Sequence, residues 1–178
     1  MFKSKLVKSL RNQASIVFNA RILSTLKPAE AYEFLQLCHK RTYKPGEYIY
    51  YQNDPGNGLY ILEEGRVELI IQDTDGTQIG ETFIIDPPDS FGNSGLSYEM
   101  KRMSSARAMS ATSVLGFFEP DLEILQRRQP SIAIKMMRQF NRELGRQLEF
   151  SLKKLTELSS QPEVSRLYLE SYYSEKED

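Results

Sequence analysis

The chain has 178 residues, 40% of them hydrophobic and 26% charged, with a formal net charge of −1, the profile of one soluble globular domain with appended helices. A net charge so near zero excludes the whole-protein electrostatic attraction on which nonspecific binding to nucleic acid or to a membrane surface draws. One cysteine, Cys38, and one histidine, His39, exclude an intramolecular disulfide, a cysteine metal cluster and a triad pairing a histidine with a cysteine nucleophile, so neither a metal site nor an enzymatic activity is expected, and the reducing cytoplasm is the expected setting.

Residues 1–40 carry a surplus of five positive charges and read as N-terminal helices. Phe2, Leu6, Leu10 and Val17 fall near one side of a basic amphipathic helix that packs on its own domain. Arg11, Asn12 and Gln13 break up its apolar run, so neither a signal peptide nor a membrane span is expected there. Pro28 opens a second helix, PAEAYEFLQLCHK, in the first-turn position that tolerates proline. Cys38 sits in its apolar pattern with Phe34, Leu35 and Leu37 and reads as a buried structural thiol.

The grammar changes at residue 41. Short runs rich in Tyr, Ile and Val alternate with the turns YKPGE, NDPGNG, EEGR and DTDG. Strands are expected at 47–52, 59–63, 66–72, 79–85, 105–111 and 113–118, in an antiparallel sandwich or barrel. In DTDG, Gly76 suits a hairpin because it tolerates positive φ.

Helix resumes after Pro120, restarts at Pro130 and runs to about Leu158. Ile134, Met137, Asn141, Leu144, Leu148, Ser151, Leu155 and Leu158 recur at alternating steps of three and four, a heptad seam with Asn141 at an a-type position that favours two strands. The seam predicts a homodimer. Met136, Phe140, Phe150 and Leu152 lie off the seam and are expected to pack on the chain's own β domain. Arg138, Arg142 and Arg146 read as a solvated face. The acidic tail, 159–178, is expected to be partly ordered, with Leu167, Tyr168, Leu169, Tyr172 and Tyr173 able to dock as a short helix.

The segment with chemical character is SFGNSGLSYEMKRMSSARA, residues 90–108. A short helical turn beginning at Asp89, Ser90 and Gly92 would place unpaired N–H groups near Asn93 to Leu96, where an anion is stabilised. Gly92 and Gly95 lack the Cβ atoms that would hold a phosphate at a distance. Arg102 offers a planar fork suited to two phosphate oxygens, and Ser104 and Ser105 are small donors that leave room for a ligand.

FGNSGL followed by KRMSSARA resembles the phosphate-binding cassette of the cyclic-nucleotide-binding domain family, whose outline is F-G-E-L-A-L, several residues, then P-R-A-A-T-V-x-A. Upstream, YKPGEYIYYQNDPGNGLYILEEGRVEL is similar to the family's glycine-punctuated β-roll, with Gly46, Gly58, Tyr60, Gly65 and Val67 in matching positions. The stretch 22–158 is covered by the resemblance. It implies an α+β fold: an antiparallel β-roll of the jelly-roll or cupin-like, double-stranded β-helix kind, flanked by N-terminal helices and a long C-terminal helix. The roll would span 41–119 with its cassette at 91–108, and the helices of 120–158 would serve as lid and dimerisation element.

Carried over by position, the resemblance implies that Arg102 binds the cyclic phosphate, while Gly92, Ser94, Gly95 and Leu96 supply cassette backbone or packing. Ser105 occupies the family's Thr position near the base, and Ser104 an alanine position. Asn93 stands where the family has a glutamate that accepts from the ribose 2′-OH; loss of that charge is expected to cost on the order of 1–2 kcal/mol, roughly tenfold in affinity. Met103 replaces a small residue, so a bulky group crowding the pocket is expected. Lys101 replaces a proline, and Glu99 is close enough in sequence to pair with Arg102.

The implied function is a regulatory module that binds cAMP or cGMP and signals through its long C-terminal helix, a stand-alone bacterial-type member without a DNA-binding domain. The alternative is a dimeric interaction or scaffold module with a degenerate pocket. Some twenty residues after Leu158 with an acidic end do not make a helix-turn-helix domain, so DNA binding is not expected. The expected partners are a second copy of the chain and a downstream protein that the sequence does not identify.

Overall fold

A computed structural model describes residues 19–92, 96, 98 and 100–173. The expected N-terminal amphipathic helix of residues 1–18, and Asn93, Ser94, Gly95 and Glu99, lie outside the described residues. The chain divides into two compact units, residues 1–139 and 140–178.

The first unit opens with a one-turn 3-10 helix at Arg21–Leu23 and helix α1 at Pro28–Leu35. Among the described residues ten strands follow: β1 (His39–Tyr43), β2 (Tyr48–Tyr50), β3 (Pro55–Gly56), β4 (Gly58–Glu64), β5 (Val67–Ile70), β6 (Phe83–Ile85), β7 (Ser90–Phe91), β8 (Met100–Lys101), β9 (Ser105–Ala108) and β10 (Thr112–Phe118). They form two four-stranded sheets, ordered β1-β10-β4-β7 and β2-β9-β5-β6, and a two-stranded ribbon β3-β8. Every pairing is antiparallel. Helix α2 (Glu119–Arg128) follows β10 directly, and helix α3 (Pro130–Leu158) begins in this unit. This is the expected α+β roll flanked by helices.

The period-2 alternation of strands explains the core. On β4, Tyr60 and Leu62 join Tyr50 of β2, Val67 of β5, Phe91 of β7, Ala106 of β9 and Val114 of β10 in one buried cluster drawn from both sheets. Leu59 and Ile61 point to the opposite face of β4 and are also fully buried, as are Ile22, Leu23, Phe34, Leu125 and Met136 of the helical layer. Phe34 of α1 meets Phe117 of β10 at 4.6 Å between ring centroids. Because β4 is covered on both sides, its sequence is a nearly unbroken apolar run. At the sharp turn into β5, Gly65 has φ +89°, and a Cβ there would stand 2.5 Å from the Ala111 carbonyl oxygen, so no other residue fits without displacement.

Polar anchors fix the seams of this unit. Glu30 Oε1 and Oε2 accept from Lys135 Nζ at 2.6 and 2.7 Å, tying α1 to α3. Buried Glu63 accepts from Ser113 Oγ at 2.8 Å and faces Lys40 Nζ at 2.9 Å. His39 Nε2 lies 3.0 and 3.1 Å from the two oxygens of Asp121, and Asp121 also caps α2 by accepting from the Phe118 N–H at 2.9 Å.

Several local expectations need correction. The helical pattern does not continue to residue 40: α1 ends at Leu35 and His39 begins β1, because five ladder partners on β10 override local propensity. Cys38 is half-buried, not fully enclosed; its Sγ reaches the Phe34 carbonyl at 3.6 Å. Desolvation, with Asp121 and Glu63 nearby, pushes its thiol well above the ordinary range, so it stays protonated and is no nucleophile. The hairpin around Gly76 forms as expected, with Gly76 at φ +84° and its N–H donating to the Asp73 carbonyl at 3.0 Å.

The second unit is helical. It holds the remainder of α3 and helix α4 (Gln161–Tyr173), which contains the short helix expected at 167–173; residues 174–178 of the tail lie outside the described residues. Ser159 and Ser160 hydroxyls both donate to Glu163 Oε2, and those bonds hold the Glu163 carboxyl below its ordinary pKa at the head of α4. Val164 of α4 is buried, and it lines a groove with Leu152 and Thr156 of α3 and Tyr168 of α4. Leu152 is thus half-buried within this unit, while Phe150 is 63% exposed.

Candidate functional site

Strand β7 pairs Phe91 with Tyr60 and Ser90 with Ile61. These residues are therefore strand, not the start of the short helical turn expected from Asp89, Ser90 and Gly92. Two ladder positions on β4 win over the local turn signal. Immediately after β7, Gly92 leaves the strand at φ +72°, a conformation that a residue with a Cβ adopts only under strain.

Arg102 arrives from the other side. The ribbon β3-β8 sets Pro55 opposite Lys101 and Gly56 opposite Met100. Beyond it, the Arg102 N–H donates to the Asp54 carbonyl at 2.9 Å, and the Asn53 N–H donates to the Arg102 carbonyl at 2.9 Å. Both main-chain groups of the arginine are thus engaged. Its side chain turns inward, leaving the residue only 6% exposed.

Within that enclosure the guanidinium lies over the Tyr50 ring, 4.5 Å from its centroid, with the Tyr60 ring at 5.8 Å. Nη1 donates to the Gly92 carbonyl at 2.6 Å. Nε is buried and has no hydrogen-bond partner among the described residues. The three aromatic rings form one cluster, Tyr60 to Phe91 at 5.5 Å and Tyr50 to Tyr60 at 5.9 Å. Burial pushes the Tyr50 phenol up to about 12, against the opposing pull of the Arg102 charge and a Ser104 hydroxyl. Burial also raises Tyr60. Both are neutral phenols across the physiological range.

A buried cation normally carries a carboxylate partner. Arg102 contacts carbonyls and aromatic faces among the described residues, and one edge of its fork has an unsatisfied donor. That arrangement fits an anion with two oxygens, which a guanidinium takes in bidentate fashion. Gly92 completes the cradle: a Cβ there would stand 2.6 Å from Arg102 Nη1. Gly92→Ala is therefore expected to destabilise the protein by about 1–3 kcal/mol in urea unfolding, and to weaken anion binding by displacing the guanidinium.

The remaining expected site residues divide. Leu96 is buried, consistent with a packing role. Ser104 is half-buried beside the Tyr50 hydroxyl. Met103 is 70% exposed, so it does not plug the site as expected; the side chain leaves the enclosure that takes in Arg102. Ser105 is buried, and its hydroxyl is committed on both sides, accepting from the Gln52 N–H at 2.9 Å and donating to Gln72 Oε1 at 3.2 Å. Gln52 and Gln72 are bound to each other at 2.8 and 2.9 Å. Ser105 thus holds two strand ends together. The expected partners Asn93, Ser94, Gly95 and Glu99 are outside the described residues.

Sequence reasoning missed Tyr50, Tyr60 and Phe91 as neighbours of the arginine. The Tyr-rich run YIYYQ carried a signal in its alternation, which places Tyr48 and Tyr50 on one face of β2, but nothing local says that this face meets Arg102. Among the described residues no group of three His, Cys, Asp or Glu side chains could hold a metal ion, and no helix is long and apolar enough to cross a membrane.

Comparison with known proteins adds to this geometry. The family model described as the cyclic nucleotide-binding domain matches residues 40–129. The cyclic AMP receptor protein of Thermus thermophilus is 34% identical over 108 residues, 61% of this chain and 50% of that protein. The human cGMP-dependent protein kinase 2 is 25% identical over 140 residues, 78% of this chain and 17% of the kinase. The crystal structure of the Thermus thermophilus catabolite activator protein superposes with a TM-score of 0.64 at 31% identity, covering 76% of this chain and 63% of that one. The chain thus spans about half the length of the bacterial receptor and a sixth of the kinase.

Proposed function

Because the chain belongs to the cyclic nucleotide-binding domain family, we propose that it is a regulatory module that takes cAMP or cGMP at the Arg102 cradle and signals through α3. The observation that carries this reading is a nine-tenths-buried guanidinium whose partners among the described residues are all uncharged and whose Nε has no partner there. In this reading Arg102 binds the cyclic phosphate, with Gly92, Asn93, Ser94, Gly95 and Leu96 forming the cassette and Ser104 and Ser105 lying beside it. Met103 borders the mouth. The roll, 41–119, is the ligand-binding part, preceded by leading helices in 1–40; 120–158 are lid and dimer helices, and 159–178 an appended segment.

The dimer part of the proposal rests on α3. Ile134, Leu144, Leu148 and Leu155 are 55%, 43%, 46% and 45% exposed, and Asn141 is exposed with them. Met137 is half-buried in the same register. Leucines at heptad spacing in contact with water favour a second helix. A ligand would act on such a dimer only through its differential affinity for two arrangements of the helices. The reading assigns the chain no catalytic step, no DNA contact and a cytoplasmic setting, with its effect passed to a downstream protein.

Thermal unfolding with cAMP and with cGMP tests the proposal. A ligand bound by the native state alone raises the midpoint as its concentration passes the dissociation constant, contributing about 2.7 kcal/mol at a hundredfold excess over it. A midpoint unmoved by millimolar amounts of either nucleotide would refute the ligand and leave a nucleotide-free interaction module.

A further inference from the structure

The Arg102 side chain has four soft torsions, and a long arginine in a roomy pocket samples many orientations. Here its environment is particular. One face of the guanidinium is covered by the Tyr50 ring at 4.5 Å, and Nη1 is held by the Gly92 carbonyl at 2.6 Å. The opposite edge of the fork carries Nε and Nη2, and Nε is the buried donor without a partner among the described residues. Across the ladder, Tyr50 stands opposite the small, buried Ala106. Ser104, two residues after the arginine, lies near the Tyr50 hydroxyl and lowers the phenol's pKa against the effect of burial.

We infer that Tyr50 is a positioning residue for the anion site: its ring and the Gly92 carbonyl together fix the Arg102 guanidinium so that its Nε edge is the one presented to a pair of phosphate oxygens. This rests on the reading of Arg102 as the phosphate ligand. Tyr50 itself touches the arginine and acts through it. The aromatic face supplies an attraction for the cation that costs the fork none of its N–H donors. A carboxylate in that place would occupy the donors and compete with the ligand. Since burial raises the phenol's pKa, it is neutral at physiological pH and the platform adds no negative charge beside an incoming anion.

The test compares Tyr50→Phe, which keeps the ring, with Tyr50→Leu, which removes it. Affinity for cAMP and cGMP is measured by calorimetry, and the Arg102 Hε resonance is followed in the ligand-free protein, assigned by its loss in Arg102→Lys. A proton stacked on a ring is shifted upfield. The expected result is an upfield Hε signal in the wild type and in Tyr50→Phe that returns to the ordinary arginine range in Tyr50→Leu. Nucleotide affinity is expected to fall about tenfold in Tyr50→Leu and by no more than about twofold in Tyr50→Phe. An Hε shift that Tyr50→Leu leaves in place overturns the inference, even if affinity drops, because the loss then reflects packing alone. Wild-type affinity in Tyr50→Leu overturns it as well. Should the wild type bind neither nucleotide, the functional reading fails separately, and the Hε signal of the free protein still decides whether Tyr50 positions the arginine.

Discussion

Arg102→Met is expected to abolish the nucleotide-dependent rise in thermal midpoint while leaving the ligand-free protein within about 1 kcal/mol of wild-type stability, or above it. The two halves of this expectation have one cause. A guanidinium 6% exposed, with no charged partner among the described residues, carries the cost of desolvation without the compensation of an ion pair. An apolar side chain of similar length removes that cost and keeps packing against Tyr50 and Tyr60. The ligand, however, loses two charge-assisted hydrogen bonds worth roughly 1.5–3 kcal/mol each, so affinity should fall by a factor of about 100 to 20,000. Arg102→Lys keeps the charge and loses the fork, and an intermediate loss is expected. Calorimetric titration reads the affinity, and urea unfolding without nucleotide reads the stability. Were Arg102→Met to destabilise the ligand-free protein by several kcal/mol, the arginine would be a structural anchor and not a binding group.

The second large effect concerns α3. Leu144→Glu combined with Leu148→Glu is expected to convert a dimer into a monomer, raising the dissociation constant by more than about a thousandfold. Each leucine buried at a helix seam contributes roughly 1.5–3 kcal/mol. Two carboxylates per chain, brought face to face across a twofold axis, add desolvation and like-charge repulsion. Asn141→Leu should act in the opposite direction, tightening association and relaxing the preference for two strands. Sedimentation velocity over a concentration series checks both. A wild-type protein that sediments as a monomer at about 100 μM, where a seam of this composition would associate, ends the dimer reading. Both substitutions fall at exposed positions, so the helix itself should persist in circular dichroism.

Much of the architecture is written in local signals. The glycine-bearing turns separate the strands correctly, and the long helix runs from Pro130 to Leu158 as its prolines and heptads foretell. The parts that escape are those whose identity comes from distant partners. HKRTY of β1 has no large aliphatic residue and is exposed along most of its length, and only its pairing with β10 makes it a strand. Strands β3, β7 and β8 are two residues long, too short for any periodicity. At the site, Gly92 and Arg102 were legible because the proposed anion site calls for a glycine turn and an arginine in that order. Tyr50 lies 52 positions before Arg102, and no spacing rule links them. Exposure of Met103 was illegible for the same reason, since it depends on which way the chain leaves β8.

The two main-chain hydrogen bonds that join Arg102 to the Asn53–Asp54 turn bear on how fast the site can work. A binding residue on a loose loop must be ordered during each encounter, and the lost freedom slows capture and weakens the complex. Here the backbone beneath the guanidinium is already tied down by two hydrogen bonds to the Asn53–Asp54 turn, so in the proposed reading this half of the cradle meets an anion with its main chain in place. Association through Arg102 should then run close to the rate of orientational docking, leaving the lifetime of the complex as the quantity by which different nucleotides are told apart.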